Sequence, residues 1–593
     1  LSTTVTKTWR LLPHDRVAVE CLAASLRLSP VVAQLLLNRG VSGPDDARRF
    51  LGVPLSGLHP PELLPNVNEA VDRITAAIQA GKRICVYGDY DVDGVSGTAI
   101  LLQCLRLLGA QVDFYVPHRL EEGYGLNRDA LRQLAADGKS LIITVDCGIA
   151  SVREAEEAKR LGVELIVTDH HEFKDALPDA VLVHPRLPGT AYPFGRLSGS
   201  AVAFKLAWAL AQRASGGAKV TPPLREFLMD SVALAALGVV ADVVPLLDEN
   251  RILVRHGLWR LQQSPLPGLK ALCEVAGLDP GAELRATDIG FKIAPRLNAA
   301  GRLGCARLVV DLLTTTQRHQ AVDLARVLED QNAKRQTLER RMLAEARELA
   351  EAAGLHEMPA VVLANAGWHS GVLGIVASRL VDLYGRPALM IALPAANAVE
   401  SGHAAVGVGS GRSVDGFAIN EGLKACGDLL LSHGGHAMAA GFRVRAEQID
   451  ALRERFCARA ATHFPAGPPS PSLVLDAEAP LNLLTVGLVR DLDKLEPYGA
   501  ENRKPTFLAG GLEVVGEPRL VGTPANHLSF KVRQHNTTLK AIAFGMADRA
   551  DELMSEGGAC CLAFTPKINE WQGRTSIDLQ VVDLQAGAQA RLA

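Results

Sequence analysis

Ile84-Cys85-Val86-Tyr87-Gly88-Asp89-Tyr90-Asp91-Val92-Asp93-Gly94 is the stretch on which the reading of the fold turns. Its apolar first half predicts a buried strand, and it ends abruptly in three alternating aspartates and a glycine. Val95 to Leu108 then predicts a helix, apolar at Val95, Ala99, Leu102 and Leu105, with Ser96 and Thr98 near its start. Carboxylates gathered at the carboxyl end of a strand repel one another, so something positive is expected there, and hard divalent cations prefer oxygen ligands. Asp-x-Asp-x-Asp-Gly also opens an EF-hand calcium loop, which needs a preceding helix and a glutamate at its twelfth position. Here the twelfth residue from Asp89 is Ile100 and the flank is a strand, so the EF-hand is excluded. For this stretch alone, the simpler alternative is a solvated Asp-rich turn that caps the next helix.

From 81 to about 190 the same alternation continues. Strands are expected at Ile84–Asp89, Val112–Pro117, Leu141–Cys147, Leu165–His170 and Val181–Pro185, with helices around 95–108, 127–137 and 151–161. Short apolar strands alternating with helices predict a parallel sheet covered on both faces, whose ligands gather outside the strands' carboxyl ends. Polar residues fall at those ends repeatedly: Asp89, Asp91 and Asp93, then Asp146, then Asp169-His170-His171.

The whole chain narrows the function classes. At 593 residues it exceeds one ordinary core and suggests about three to five domains. Hydrophobic residues at 48% and charged residues at 21% describe a globular chain and exclude a disordered one. No apolar run approaches a membrane span, and the first residues do not read as a signal peptide. The ten cysteines include no Cys-x-x-Cys pair, which argues against a disulfide framework or zinc site and for a reducing cytoplasm. A net charge of −3 argues against a uniformly basic nucleic-acid binder but leaves room for a local basic groove. One basic stretch holds Arg285, Lys292, Arg296, Arg302 and Arg307 against the single acid Asp288.

Residues 1–80 read as a helical and irregular segment packed on the domain that follows. Phe227 to Gly238 predicts a helix apolar on nearly every side, in which Asp230 is either a functional buried carboxylate or a helix-start aspartate. Arg296-Leu297-Asn298-Ala299-Ala300-Gly301-Arg302 places two guanidinium groups on a small-residue loop, suited to bidentate phosphate contact or simply to a surface turn. From about 317 to 353 no proline or glycine interrupts what predicts one long helix bridging two domains. A second α/β unit begins after Gly354. Gly407-Val408-Gly409-Ser410-Gly411-Arg412-Ser413 within it reads as a phosphate-approaching loop, and His433-Gly434-Gly435-His436 is compatible with a substrate-side histidine. Pro465 to Pro471 reads as a linker. Beyond it come short β runs at 473–475, 507–508, 512–515, 528–532, 538–544, 561–566 and 576–582, which suggest a small barrel such as an OB-fold. Residues 473–593 carry 12 Lys+Arg against 15 Asp+Glu, so any phosphate grip there would be local.

These pieces together resemble the RecJ family of the DHH phosphoesterase superfamily. The resembling residues are Gly88 to Gly94, Val145-Asp146-Cys147-Gly148, Thr168-Asp169-His170-His171, Asp230 through Asp242 to Leu246, and Arg296 to Arg302. Trp368-His369, Gly371-Val372, Gly374 to Leu380, Gly409 to Ser413 and Gly434-Gly435-His436 resemble the DHHA1 domain, and Glu496 to Asn502 announces the barrel. One departure is Glu501, where a glycine before Asn502 is expected. The resemblance implies an α/β chain: two α/β domains with mainly parallel sheets (81–316 and 356–465) joined by a long helix (317–355), then an OB-fold barrel (466–593). It also implies degradation of single-stranded DNA from the 5′ end to mononucleotides with Mn²⁺ or Mg²⁺, a monomer, and contacts with single-strand-binding protein and with recombination or repair helicases.

On that reading Asp89, Asp91, Asp93, Asp146, His170 and Asp230 ligate two divalent ions, with Asp146 bridging. His171 either serves the scissile phosphate as donor or proton carrier, or orients His170. Arg296, Asn298, Arg302, Ser378, Arg379, Ser410, Arg412 and His436 bind substrate, in a groove too narrow for a duplex. The rival readings are a DHH hydrolase of cyclic dinucleotides or short oligonucleotides, which needs no barrel, and a noncatalytic scaffold, which needs no ligand set.

Overall fold

A computed structural model describes residues 7–119, 121–173, 176–394, 405–465, 467 and 470–593. The chain divides into two compact units: Gly43–Ala333 with Lys494–Lys504, and the chain up to Ser42 with Lys334–Asp493 and Pro505–Ala593. The short strand β1 (Thr8–Leu11) belongs to the second of these.

In the first unit, β2 (Arg83–Gly88), β3 (Gln111–Tyr115), β4 (Leu141–Val145), β5 (Glu164–Thr168) and β6 (Val181–Val183) form a sheet in the order β3-β2-β4-β5-β6. Every neighbouring pair is parallel, as expected. Alternation along β2 shows why both faces are covered. Ile84 and Val86 enter a core with the helices Val92–Leu107, Gly199–Ala214 and Pro222–Ala241, while Cys85 and Tyr87 pack with Arg128–Ala136 and Val152–Arg160. Helix Val92–Leu107 lies very close to the sheet: a side chain at Gly97 would come within 2.6 Å of Val145 Cγ1. That approach brings the start of the helix up to the end of β4. Each strand stops before the polar residues expected to work there, so Asp89, Asp146 and Asp169 all lie just past strand ends.

Two expectations about this unit change. Residues 296–302 are not a loop but the helix Ala294–Arg302, preceded by a π-helical turn at Ile289–Ile293. Gly301 serves packing there, since a Cβ would stand 2.4 Å from the Tyr90 carbonyl oxygen. The announcing segment 494–504 belongs to this unit rather than to the barrel's.

The second unit contains β7 (Val361–Asn365), β8 (Ala388–Ala392), β9 (Val406–Arg412), β10 (Leu430–Gly435) and β11 (Ala439–Arg445), ordered β10-β11-β9-β8-β7. The helix Leu373–Tyr384 crosses from β7 to β8, which are parallel; the other described pairs are antiparallel. The glycine run expected to be an open loop is β9 itself. Gly407, Gly409 and Gly411 face Ile391, the Phe442 ring, and Leu389 with Ile419, where a Cβ would stand within 2.2–2.6 Å of them, so these glycines make room for apolar side chains. Ser410 and Arg412, at the alternate positions, fall on the other face.

β12 (Ser472–Leu475) and β13 (Ala477–Glu478) lead into the barrel of β14 (Phe507–Val514), β15 (Arg519–Val521), β16 (His527–Gln534), β17 (Thr537–Ala543), β18 (Ala559–Trp571) and β19 (Arg574–Ala586). The order β14-β18-β19-β17-β16 closes through a β14–β16 pairing, with β17 and β19 parallel, the OB-fold arrangement expected. The runs expected at 507–508 and 512–515 are one strand, whose register shifts between Ala509 and Leu512 around Gly511 at φ +61°. Ala466, Pro468 and Pro469 of the expected linker lie outside the described residues.

Residues 1–80 do not form one covering segment. β1 pairs in parallel with β12, and Trp9 is fully buried with Leu475, Leu508, Cys561 and Ala563, its Nε1 donating to Asp583 at 2.8 Å. Residues from 43 onward pack on the first unit instead. The long helix runs Arg318–Ala352, and the boundary between the units falls within it. No single described helix is long and apolar enough to cross a membrane.

Candidate metal centre

Three strand ends and three helix ends of the first unit meet at one cluster of carboxylates and imidazoles. Asp89 follows β2. Asp91 is the N-cap of helix Val92–Leu107, its Oδ1 accepting from the Asp93 and Gly94 amides at 3.0 and 3.1 Å. Asp93 accepts from Gly199 N at 2.5 Å and Ser200 N at 3.0 Å, the first amides of helix Gly199–Ala214, where the helix dipole favours an anion. Asp146 follows β4 at φ +64°, a left-handed conformation that Asp tolerates better than most residues. Glycines floor the cluster: a Cβ at Gly199 would meet Asp146 Oδ1 at 2.4 Å, and one at Gly238 would meet Asp93 Oδ1 at 2.2 Å.

Beyond β5 the three residues divide their work. Asp169 accepts from the amides of Ile149, His170 and His171 and, at 2.8 Å, from His171 Nδ1. Burial would raise its pKa, but the His171 hydrogen bond and charge hold it well below the usual carboxylate range. Asp169 therefore orients His171. Burial alone would lower the His171 pKa; the bond to Asp169 and its charge outweigh that and lift it to about 9. His170, lowered to about 4 by burial and then by the His171 charge, stays a neutral ligand-type imidazole. Its Nε2 lies 3.1 Å from Asp146 Oδ1, 3.6 Å from Asp242 Oδ2 and 3.8 Å from Asp93 Oδ2.

The donor set fits divalent cations. Asp89 Oδ1, Asp146 Oδ1 and His170 Nε2 are buried without a hydrogen-bond partner, the arrangement that a cation would satisfy. Candidate ligand atoms gather within 4.8 Å of one another in three groups: Asp89, Asp91 and Asp146; Asp93, His170 and Asp242; and Asp146, His170 and His171. Asp146 belongs to two of them and so can bridge. Burial, followed by the charge of neighbouring aspartates, pushes up the pKa of Asp89, Asp91 and Asp146, and that of Asp242 to about 8.

Raised carboxyls have a consequence for stability. Without metal, the folded chain holds protons that the unfolded chain releases, so stability falls as pH rises through the folded values. Asp242 at about 8 and His171 at about 9 act in the same direction. Thermal melts in EDTA are expected to give a higher melting temperature at pH 6.5 than at pH 8.5. Because cation ligands must be deprotonated, the stabilisation by Mg²⁺ should grow over the same interval. A melting temperature in EDTA that is flat or rising with pH would contradict this balance.

Asp230 is not in the cluster. It lies mid-helix, paired with Arg260 at 2.8 Å and near Ser264 Oγ at 3.4 Å. Asp242, twelve residues and about 18 Å further along the same helix, reaches the cluster from the C-cap. The sequence signal for it is the one that marked Asp89 and Asp146, an aspartate directly after an apolar run. Tyr124 is a second residue the sequence reading missed. Its hydroxyl lies 3.1 Å from both the Asp146 carbonyl oxygen and His171 Nδ1.

The expected substrate residues have varied surroundings. Arg296 is engaged with Glu329 and with the carbonyls of Lys292 and Val275, which makes it a structural group. Asn298 accepts from Val92 N at 3.3 Å and so braces the aspartate loop. Arg302 lies close enough to Tyr90 to act on its hydroxyl electrostatically, and Arg119 stacks over the Tyr90 ring at 4.8 Å. In the second unit, Arg412 donates to Ser410 Oγ at 3.2 Å beside Gly374, where a Cβ would stand 2.6 Å from Arg412 Nη2. Ser378 donates to the Gly374 carbonyl, Arg379 lies 3.5 Å from Glu339, and His436 is exposed.

Family models match this chain over residues 83–236 (DHH family, N-terminal domain), 357–462 (DHHA1 domain) and 475–583 (RecJ OB domain). The single-stranded-DNA-specific exonuclease RecJ of Bacillus subtilis is 38% identical over 576 residues, covering 97% of this chain and 70% of the relative. The crystal structure of RecJ from Thermus thermophilus with Mn²⁺ superimposes with a TM-score of 0.82 at 34% identity, covering 99% of this chain and 80% of that one. The same protein's structure with Mg²⁺ gives 0.74 at 32% identity, covering 98% and 78%. With identity at this level along nearly the full length, and a donor set suited to divalent cations at the strand ends, the chain belongs to the RecJ family of exonucleases.

Proposed function

We propose that this chain is a metal-dependent exonuclease that hydrolyses single-stranded DNA from its 5′ end, releasing mononucleotides. The observation that carries the reading is the set of buried, partnerless ligand atoms on Asp89, Asp146 and His170, gathered beside an imidazole that Asp169 keeps protonated. Asp89, Asp91, Asp93, Asp146, His170 and Asp242 are the residues that would hold two Mn²⁺ or Mg²⁺ ions. Such ions supply activation of water and neutralisation of phosphate charge.

The protein groups do the rest. Asp169 accepts a hydrogen bond from Nδ1 of the protonated His171 and so orients the imidazolium, whose Nε2–H can donate to an oxygen of the scissile phosphodiester, which favours the phosphate-side role over orientation of His170. The Tyr124 hydroxyl, 3.1 Å from His171 Nδ1 and 3.4 Å from its Nε2, donates to the Asp146 carbonyl and steadies the ring beside it. Arg119 and Arg302 place positive charge beside Tyr90 at the edge of the cluster, suited to substrate phosphates. Ser410 and Arg412 offer a further phosphate contact, and the barrel binds strand. The enzyme works as a cytoplasmic monomer with single-strand-binding protein and repair helicases as partners.

A long single strand labelled at its 5′ terminus tests this. Labelled mononucleotide should appear first, and a blunt duplex should be digested at least about tenfold more slowly. Inertness on long strands with turnover of dinucleotides would support the short-oligonucleotide reading instead.

A further inference from the structure

The backbone leaving Asp242 is strained. Val243 has φ +59° and is 68% exposed, and Asp248 has φ +43°. A left-handed conformation costs a β-branched residue on the order of 1–2 kcal/mol, and it persists only where surrounding structure fixes it. Hydrogen bonds from beyond the turn help to hold it. Asn250 Nδ2 donates to the Pro245 carbonyl at 3.1 Å, and Leu246 N donates to the Ala500 carbonyl at 2.9 Å.

Ala500 is distant in sequence, in the segment Lys494–Lys504 that belongs to this unit while the chain on either side of it belongs to the other. That segment is gripped by Arg251, which is 2% exposed. Nη1 of Arg251 donates to the carbonyls of Leu495 (2.9 Å) and Pro497 (3.3 Å), and Nη2 to those of Glu496 (2.8 Å) and Lys494 (3.4 Å). Nε donates to the Phe50 carbonyl at 3.0 Å, with the Phe50 ring 4.0 Å from the guanidinium. Asn502, fully buried, ties the same two carbonyls of Leu495 and Pro497. Gly499 lies so close to the turn that a Cβ would stand 2.6 Å from Leu246 Cδ1. A buried guanidinium is tolerated only when its donors find acceptors, and four successive carbonyls aimed at one side chain fix a backbone path tightly.

We infer that Arg251 and the Lys494–Lys504 segment it grips form a clasp that positions Asp242 for its cation. The clasp makes a stretch far from the aspartates in sequence part of the hydrolytic site's support, as positioning residues that touch neither substrate nor ion. The inference rests on the reading of Asp242 as a ligand.

Calorimetric Mn²⁺ titration of the metal-free full chain separates the two claims, using Asp242→Asn, Arg251→Lys and Gly499→Ala beside the parent. Arg251→Lys keeps the charge but loses the fork; Gly499→Ala pushes on Leu246 and removes nothing. Both clasp variants should bind Mn²⁺ about tenfold more weakly, the range found when groups supporting a ligand are removed. The Mn²⁺ concentration for half-maximal hydrolysis should rise in parallel, with the rate at saturating Mn²⁺ within about threefold of the parent. If Asp242→Asn weakens binding while both clasp variants titrate like the parent, whatever happens to their melting temperatures, the clasp is only structural and the inference is overturned. If Asp242→Asn itself titrates like the parent, the ligand reading fails and the clasp inference with it. Should Arg251→Lys not fold, Gly499→Ala decides alone.

Discussion

Asp146→Asn is expected to lower hydrolysis of single-stranded DNA by about 10³-fold or more, equivalent to about 4 kcal/mol of barrier. Asparagine is the informative replacement. Asp146 stands at φ +64°, and asparagine adopts that conformation about as well as aspartate, so the turn after β4 survives. What is lost is one negative charge shared by two of the three ligand groups. Since burial and the neighbouring aspartates push the Asp146 pKa up, the metal-free protein already disfavours a charge at this position, and a neutral amide there should leave the melting temperature level or higher. The loss would therefore be chemical rather than structural. Single-strand affinity measured in EDTA should change little. A residual rate within tenfold of the parent at saturating Mn²⁺ would show that the cations do not depend on Asp146.

Much of the cluster is legible in the sequence because parallel sheets put functional groups past strand ends, and an apolar run followed by aspartate marks those ends. Asp89, Asp91, Asp93, Asp146 and His170 satisfy that rule, and the structure brings them together. Helices follow it less visibly. In 227–241 nearly every position is apolar, so periodicity cannot say which face meets the sheet, and Asp230 draws attention as the charge inside the run. Its partner Arg260 lies thirty residues later, beyond the reach of any local pattern. Asp169 is legible as one of three adjacent polar residues, but its hydrogen bonds to Ile149 N and His171 Nδ1 are tertiary facts. The parallel pairing of β1 with β12 joins a strand of four residues to one about 460 positions away, and no short stretch of sequence encodes such a contact. Arg296 and the β9 glycines show the opposite hazard. Residue types suited to phosphate are there, but Glu329 and the Phe442 ring already occupy them.

The two aspartates of helix Pro222–Ala241 and its cap separate metal binding from packing, because their replacements should move activity and stability in opposite directions. Asp242→Ala removes a carboxylate whose pKa burial and the Asp93 charge push up to about 8, beside His170 Nε2 at 3.6 Å. Above pH 8 that carboxylate is ionised against its neighbours, and it also sits at a helix C-terminus, where the dipole disfavours a negative charge. Its loss should leave the melting temperature in EDTA unchanged or higher, reduce the stabilisation by Mg²⁺, and lower hydrolysis about 10²- to 10³-fold. Asp230→Ala leaves Arg260, whose side chain is 14% exposed, without its closest carboxylate. Arg260 keeps Glu226 at 3.1 Å, so losing the charge-assisted bond to Asp230 costs about 1.5–3 kcal/mol, and the melting temperature should fall by a few degrees in EDTA and in Mg²⁺ alike. Hydrolysis well below that melting temperature should remain within about threefold of the parent. Melting curves with and without Mg²⁺, read beside initial rates, decide the matter. If Asp230→Ala abolished the Mg²⁺ stabilisation while Asp242→Ala kept it, the ligand would have to be sought at the middle of the helix rather than at its end.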